Sequence, residues 1–292
     1  MPELPEVETI ARGLAKRVTG DVIESIWLGQ KKEPLKSPAS AIASTLEHSR
    51  IASVHRMGKH IVFDLDRGGM RSFANGGRTK QKPKKSSGPI VRNTQAQWIV
   101  HLGMTGRLQV CEPQAEVAKH THAIAKLASG RELRFVDPRR FGRLSVADVQ
   151  FDASGIEPLE IDRERFVGLF RGRKTPIKSA LLNQNLLRGV GNIYADESLF
   201  RAGIRPRRRS STITREQFGK LFIAVQEVLR EAIALGGSSV SDYVNADGEE
   251  GFFQLQHRVY GREGEPCLVC KTPIKRVVIG GRSSHYCPKC QK

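Results

Sequence analysis

The sequence predicts an α+β chain of more than one domain, on three observations. Seven short segments rich in β-branched and aromatic residues, separated by turn residues, fill roughly residues 16–148. Apolar residues at helical spacing take over from about Phe151 to Leu235. Two CxxC pairs then fall within the last 26 residues.

The first element expected is a helix over PEVETIARGLAKRV. Pro5 suits a first helical turn, Glu6 and Glu8 complement its positive end, and Val7, Ile10, Ala11 and Leu14 make one apolar stripe. The segments VIESIWLG, RIASVHRM, HIVFDL, QWIVHLGM, RLQVCE, HAIAKLA and ELRFVD read as strands of a β-sandwich or barrel. Between them, residues 67–97 are rich in Gly, Ser and Lys and read as a basic insertion, either a solvated loop or a nonspecific contact to a polyanion. Four helices are expected next, in RERFVGLFRGR, TPIKSALLNQNLL, NIYADESLFRAG and TREQFGKLFIAVQEVLREAIALG. Thr212 or Thr214 would cap the last, and Gly236 and Gly237 would end it.

The tail carries Cys267-x2-Cys270-x16-Cys287-x2-Cys290, a spacing that presents four thiolates to one Zn²⁺. The spacer reads as a hairpin turning at Gly280 and Gly281, too small to fold without the metal. Four protein ligands leave no open position, so the zinc is structural; disulfides are the alternative. Cys111 reads as a small core residue.

A net charge of +18 over 292 residues points to a polyanionic partner, with nucleic acid first and ribosomal RNA or an anionic membrane surface as alternatives. No apolar run is long enough to span a bilayer and the start lacks a secretory pattern, so a cytoplasmic monomer is expected. Several turns are furnished for chemistry. GVGNIYADE offers backbone N–H groups and Asn192 at a helix start, either a phosphate cradle or a capped turn. HLGMTGRL and DPRRFG put Met104 and Phe141 in loops beside arginines, where apolar side chains either tuck into a core or wedge between bases. Arg282 follows the hairpin glycines as a solvated turn residue or a phosphate fork.

In order and spacing, MPELPEVE, MGKH around Lys59, HLGMTGRL, DPRRFG, KTPIKSALL, GVGNIYADESLFRAGIRP, GGSSVSDYVNADGEEGFF and the four-cysteine tail resemble the formamidopyrimidine-DNA glycosylase family nearly end to end. The LPEVE opening and NADGEEGFF favour this branch over the related endonuclease VIII branch. The resemblance implies an α+β multidomain fold: an N-terminal β-sandwich catalytic domain with an N-terminal helix (1–150), a helix–two-turns–helix DNA-binding domain (151–235), a lesion-recognition loop (236–257) and a zinc β-hairpin (258–292). It implies excision of oxidised purines, such as 8-oxoguanine and formamidopyrimidines, from damaged double-stranded DNA, then strand cleavage by β,δ-elimination in the bacterial cytoplasm at the nucleoid.

By the same resemblance Pro2, freed by loss of Met1, is the nucleophile, Glu3 its proton carrier with Glu6 in support, Lys59 the proton donor in β-elimination and Arg282 the residue of δ-elimination. His120, Lys174 and Asn192 match positions that contact DNA, while Met104, Arg139 and Phe141 match those that fill the void left by the everted base. A terminal amine suits this role because its reference pKa of about 7.7–8.0 leaves roughly a tenth of it neutral at pH 7, against almost none of an ordinary lysine. Two departures stand out: the long 67–97 insertion and Asn183 where the family commonly has aspartate. A DNA- or RNA-binding zinc protein without catalysis is the reading from another class; it has no use for Pro2, Glu3 and Lys59 together.

Overall fold

The computed structural model describes residues 1–67, 96–239, 244–246 and 248–292. The basic stretch 67–97, apart from its ends, and part of the 236–257 loop lie outside those residues.

Helix α1 (Leu4–Val18) begins where the sequence sets it: Pro5 occupies the first turn, and the Glu6 carboxylate reaches back to accept the Glu3 backbone N–H at 2.8 Å. Lys16 and Arg17 sit in its last turn, against the negative end of the helix dipole. The strands are β1 (Ile23–Leu28), β2 (Arg50–Met57), β3 (His60–Asp66), β4 (Ala96–His101), β5 (Arg107–Cys111), β6 (Thr121–Leu127), β7 (Glu132–Val136) and β8 (Arg143–Ala147). They form two antiparallel four-stranded sheets, ordered β1-β6-β7-β5 and β2-β3-β4-β8. Phe63, Trp98 and Val100 of one sheet and Leu133, Phe135 and Ala125 of the other close a single core with Val7, Ile10 and Leu14 of α1. A sandwich, not a closed barrel, is the outcome.

Two elements were not expected from the sequence. Helix α2 (Ala39–Leu46) buries only Ile42, Thr45 and Leu46, too short a stripe to declare a period. Strand β8 follows DPRRFG directly, and its pattern over five residues is mostly half-buried. Cys111 is half-buried on β5 and lies outside the sandwich core, not within it as expected; burial pushes its thiol up.

The helical part has α3 (Arg163–Phe170), α4 (Ile177–Leu181), α5 (Asn192–Arg201) and α6 (Arg215–Ala234). Of TPIKSALLNQNLL only five residues are α-helical, because Pro176 fixes the start and the chain turns again after Leu182. Thr214 caps α6, its hydroxyl accepting from Gln217 N–H, and Gly236 and Gly237 follow with φ of 77° and 86°. Phe166, Phe170, Tyr194, Phe218 and Leu221 fill a second core, which also takes in Leu4 from the start of α1. Strands β9 (Lys275–Ile279) and β10 (Arg282–Tyr286) form the expected hairpin.

The seam between sandwich and helices is held by charge. Glu157, in the connection, accepts at Oε1 from Arg56 of β2 at 2.9 Å, from Arg188 at 2.9 Å and from the Gly58 N–H at 2.8 Å. Gly58 (φ 59°) makes the β2–β3 turn that presents Lys59. Truncation of Glu157 removes one of the two carboxylates paired with each of two mostly buried guanidinium groups, 7% and 15% exposed, and leaves Arg56 with Glu8 and Arg188 with Asp152. Glu157→Ala is therefore expected to cost about 1–3 kcal/mol in urea unfolding, through the buried donors left unsatisfied, the Gly58 N–H among them; a loss under about 0.5 kcal/mol would mean that Glu8, Asp152 and water meet those donors without it.

Candidate active site and nucleic-acid interface

The N-terminal segment is stitched into the helical domain. The Leu4 N–H donates to the Gly189 carbonyl at 3.0 Å, and the Glu3 carboxylate accepts from the Ile193 N–H at 3.1 Å, in the first turn of α5. The turn is shaped for this: a Cβ on Gly191 would lie 2.2 Å from the Glu3 carboxyl carbon, and one on Gly189 (φ 87°) would strike the Leu4 side chain at 2.8 Å. GVGNIY is thus the seat of the N-terminus. Gly191, not Asn192, is the residue that caps α5.

Glu3 is 4% exposed, and its Oε2 is buried with no hydrogen-bond partner. Burial pushes its pKa up to about 7, with Lys59 pulling down and Glu6 pushing up. Glu6, also held high by burial, takes hydrogen bonds from the Tyr194 hydroxyl and, at 2.8 Å, from the Ser238 N–H. One carboxylate therefore ties α1 to α5 and to the first residues of the 236–257 loop, so Glu6 serves both the network and the helix start.

Lys59 sits within electrostatic reach of Glu3, Glu6 and Arg282; burial lowers its pKa, while the two carboxylates raise it. Arg282 arrives from the other end of the chain. The hairpin tip at Gly280 and Gly281 (φ 56° and 74°) rests on α4, where a Cβ on Gly280 would lie 3.2 Å from Ser179 Oγ. Pro2 is buried beside Glu3. The structure thus brings Pro2, Glu3, Lys59 and Arg282 into one cluster from α1, the β2–β3 turn and the zinc hairpin.

Three residues that the sequence reading passed over build this site. Lys178 is fully buried and pairs with Asp196 at 2.7 Å. Asp196 also accepts the His285 N–H at 2.8 Å, and Glu197 accepts the N–H groups of Arg258, Val259 and Tyr260 at 2.8–3.0 Å. The signal was there: adjacent acids inside an otherwise apolar helix, NIYADESLF.

Asp137 organises the loops. Fully buried, it accepts from Thr105 Oγ1 at 2.6 Å and from the Gly142 N–H at 2.7 Å, locking DPRRFG against HLGMTG. Its own N–H donates to the His120 carbonyl at 2.9 Å, which places exposed His120 beside them. Met104 and Phe141 do not tuck into the core: they are 41% and 51% exposed, with the Arg139 guanidinium 4.7 Å from the Phe141 ring centroid. Because His101 pairs with both His60 and Arg143, these loops leave the sheet at the same end as the Lys59 turn. Lys174 is exposed on the loop before α4.

The four Sγ atoms of Cys267, Cys270, Cys287 and Cys290 lie within 4.8 Å of one another, with no disulfide. Separations of 3.9 Å (Cys267–Cys290) and 3.4 Å (Cys270–Cys287) bracket the ~3.8 Å edge of a tetrahedron with ~2.3 Å Zn–S bonds. The site fits one structural zinc, and the hairpin core is little more than these cysteines with Phe200, Val259 and Ile274.

Comparison with known proteins agrees along the chain. Residues 1–144 match the family model for the formamidopyrimidine-DNA glycosylase N-terminal domain, residues 155–244 that for its H2TH domain, and residues 264–292 that for the zinc finger found in FPG and IleRS. The chain is 44% identical over 299 residues to formamidopyrimidine-DNA glycosylase of Solibacter usitatus and 39% identical over 303 to that of Desulfitobacterium hafniense, each match covering 100% of both chains. Among solved structures it resembles the MutM (Fpg) protein of Thermus thermophilus (TM-score 0.81, 37% identity, 99% and 98% coverage). It also resembles a variant of Lactococcus lactis Fpg in complex with Fapy-dG-containing DNA (TM-score 0.84, 30% identity, 100% coverage of both).

Two outcomes test this geometry. The unfolded Glu3 carboxyl loses its proton near pH 4.5 and the folded one near 7, so the native state holds the extra proton between them. The Glu3 contribution to stability is therefore full below about pH 4.5 and falls as pH rises to about 7. Relative to Glu3→Gln, the unmodified chain is expected to lose on the order of 2–3 kcal/mol across that window; parallel urea-unfolding curves would refute the raised pKa. Chelation is expected to release one zinc per chain and abolish amide-exchange protection in β9 and β10 while the sandwich keeps its own. Retained protection in the chelated hairpin would show that the metal is dispensable for folding.

Proposed function

The chain belongs to the formamidopyrimidine-DNA glycosylase family, DNA glycosylases of base-excision repair with abasic-site lyase activity, and we propose that it excises oxidised purines with Pro2 as nucleophile. With Met1 removed, the proline nitrogen attacks C1′ of the damaged nucleotide and the base departs with a proton. The sugar ring opens as an iminium forms between nitrogen and C1′. That cation acidifies the C2′ hydrogen, whose loss expels the 3′ phosphate; a second elimination expels the 5′ phosphate.

The observation that carries this reading is the state of Glu3. A carboxyl with a pKa of about 7 donates a proton to the opening sugar and takes one back at neutral pH, and its buried Oε2 has no protein partner to compete with substrate. Lys59, with its pKa lowered by burial, is the proton carrier of the first elimination. Arg282, exposed at the hairpin tip, grips phosphate and serves the second.

Met104, Arg139 and Phe141 are proposed to fill the space left by the everted base, with Arg139 facing the orphaned cytosine; extrusion costs a few kcal/mol. His120, Lys174 and Asn192 are proposed to hold the backbone. The Asn192 side chain is bonded to the Tyr260 hydroxyl and its Oδ1 is buried without a partner. Turning the amide by half a revolution lets Oδ1 accept from the Tyr260 hydroxyl and frees the NH2 for a phosphate oxygen. The domain limits 1–150, 151–235, 236–257 and 258–292 belong to the same proposal, with the 236–257 loop closing over the everted base. So does a monomer in the cytoplasm at the nucleoid. Support comes from the +18 charge; no helix among the described residues is long and apolar enough to cross a membrane.

Borohydride reduction on an 8-oxoguanine duplex is expected to join the protein covalently to DNA, with mass spectrometry placing the adduct on Pro2. Pro2→Gly should cripple the lyase and leave DNA affinity largely intact. A crosslink mapped to Lys59 instead of Pro2 would overturn the assignment of the nucleophile.

A further inference from the structure

The run RPRRR, residues 205–209, carries four of the chain's arginines in five positions. It lies antiparallel to the segment before and into α4. The Ile177 N–H donates to the Arg208 carbonyl at 2.8 Å, the Lys178 N–H to Pro206 at 3.2 Å, and the Ser210 N–H to Thr175 at 3.0 Å. Two of the four guanidinium groups hold structure. Arg205 donates to the carbonyls of Gln291 and Pro288 at 2.9 and 2.8 Å, which ties it to the zinc-binding turn, and Arg208 donates to the Thr212 carbonyl at 2.6 Å.

Arg207 and Arg209 are different. Both are exposed, and neither side chain forms an ion pair among the described residues; Arg207 reaches only the Val278 carbonyl, at a long 3.5 Å. Arginines at the domain seam, by contrast, are paired: Arg56 with Glu8 and Glu157, and Arg188 with Asp152 and Glu157. Arg207 and Arg209 stand two positions apart in the chain, each without an ion pair among the described residues, and an anion supplied from outside would offset their charge.

The surroundings suit one kind of anion. Between the run and the zinc hairpin lies a groove of about 370 Å³, lined by Arg205, Arg207, Arg208, Tyr286 and Lys292 with Pro206 and Val277, and no Asp or Glu side chain lines it. One wall is cationic, and Pro206 and Val277 supply an apolar surface, the pairing that a sugar-phosphate strand presents in reverse. The position is continuous with the interface already described. Arg209 bridges to Pro176, two residues from Lys174, and Arg207 contacts Val278, four residues before Arg282.

We propose that Arg207 and Arg209 form a further phosphate-binding ridge that carries the DNA backbone between Lys174 and the zinc hairpin, outside the lesion pocket. The inference rests on the DNA-repair reading of the same cleft and extends it to backbone held away from the chemistry. Guanidinium forks suit the task because each meets two phosphate oxygens at once.

The test is the salt dependence of binding by the full chain to a duplex bearing a non-cleavable abasic analogue, between 50 and 200 mM KCl. Each phosphate contact contributes about 0.9 to the slope of log K against log salt, so Arg207→Ala with Arg209→Ala should lower its magnitude by roughly 2. Affinity at the lower salt should fall on the order of tenfold. Arg207→Lys with Arg209→Lys, which keeps both charges, should recover most of the slope. An unchanged slope in the alanine double variant would overturn the ridge, as would lysines that fail as completely as alanines, which would mean a structural role. If inorganic phosphate shifts the Tyr286 fluorescence while the DNA slope stays put, the groove is a small-anion site and the proposal also falls. Borohydride trapping of the unmodified chain decides the parent reading separately. Loss of the crosslink together with a reduced slope in the alanine variant would remove the Pro2 chemistry and leave the ridge standing.

Discussion

The structure depends on one constraint: the first residues of the chain must be as immobile as a core. Chain ends ordinarily fray, because few contacts offset the entropy of ordering them. Here α1 is shared between two cores. Leu4 belongs to the helical domain, while Val7, Ile10 and Leu14 belong to the sandwich. The helix cannot tilt without opening one core or the other, and the Glu3 and Leu4 bonds to the Gly189–Ile193 turn fix its start. Burying Glu3 with one oxygen unsatisfied is unfavourable in itself. Full burial of Leu4 offsets it by roughly 1.5–3 kcal/mol, and what remains is a buried carboxyl with one oxygen open.

Helix α5 transmits that constraint to the rest of the cleft. Its first turn holds Glu3, its next residues hold β10 through Asp196 and the 258–260 segment through Glu197, and Tyr194 reaches Glu6. A ten-residue helix thereby sets the mutual positions of the N-terminus, the zinc hairpin and the stem of the 236–257 loop. Charge balance follows the same lines. Lys59, Lys178 and Arg282 would repel one another in a dry site, and Glu3, Glu6 and Asp196 are the counter-charges that let them converge. Removing any one acid would unbalance the cluster as well as delete a contact.

The sequence made some of this legible and not the rest, for physical reasons. Local devices read well: Pro5 and Glu6 at the start of α1, Thr214 and the paired glycines around α6, and the cysteine spacing each act within a few residues. The cluster of Pro2, Glu3, Lys59 and Arg282 was legible only through resemblance, because no periodicity brings residue 3 beside residue 282. Asp137, Glu157 and Asp196 escaped because their importance lies in burial, and an isolated acid in a turn or connection looks the same whether solvated or enclosed. Asn192 reads equally as a cap or a phosphate holder by residue type, and what settles that Gly191 is the cap, with the Ile193 N–H donating to Glu3, is a contact between residues 190 positions apart.

Exposed Phe141 and Met104 complete the logic of the cleft. Large apolar side chains held out of a core by a buried aspartate represent burial forgone, and the loops are locked by Asp137 well enough that they do not collapse inward. In the free protein the Arg139 guanidinium covers the Phe141 ring at 4.7 Å, a contact worth about 0.5–1 kcal/mol at an exposed site. A base stacked on an aromatic ring contributes roughly 1–3 kcal/mol. On the proposed roles the exchange runs toward the bound state: releasing Arg139 to meet an orphaned base would cost less than Phe141 would gain by entering the stack. The resting contact between Arg139 and Phe141 is weak enough to give up.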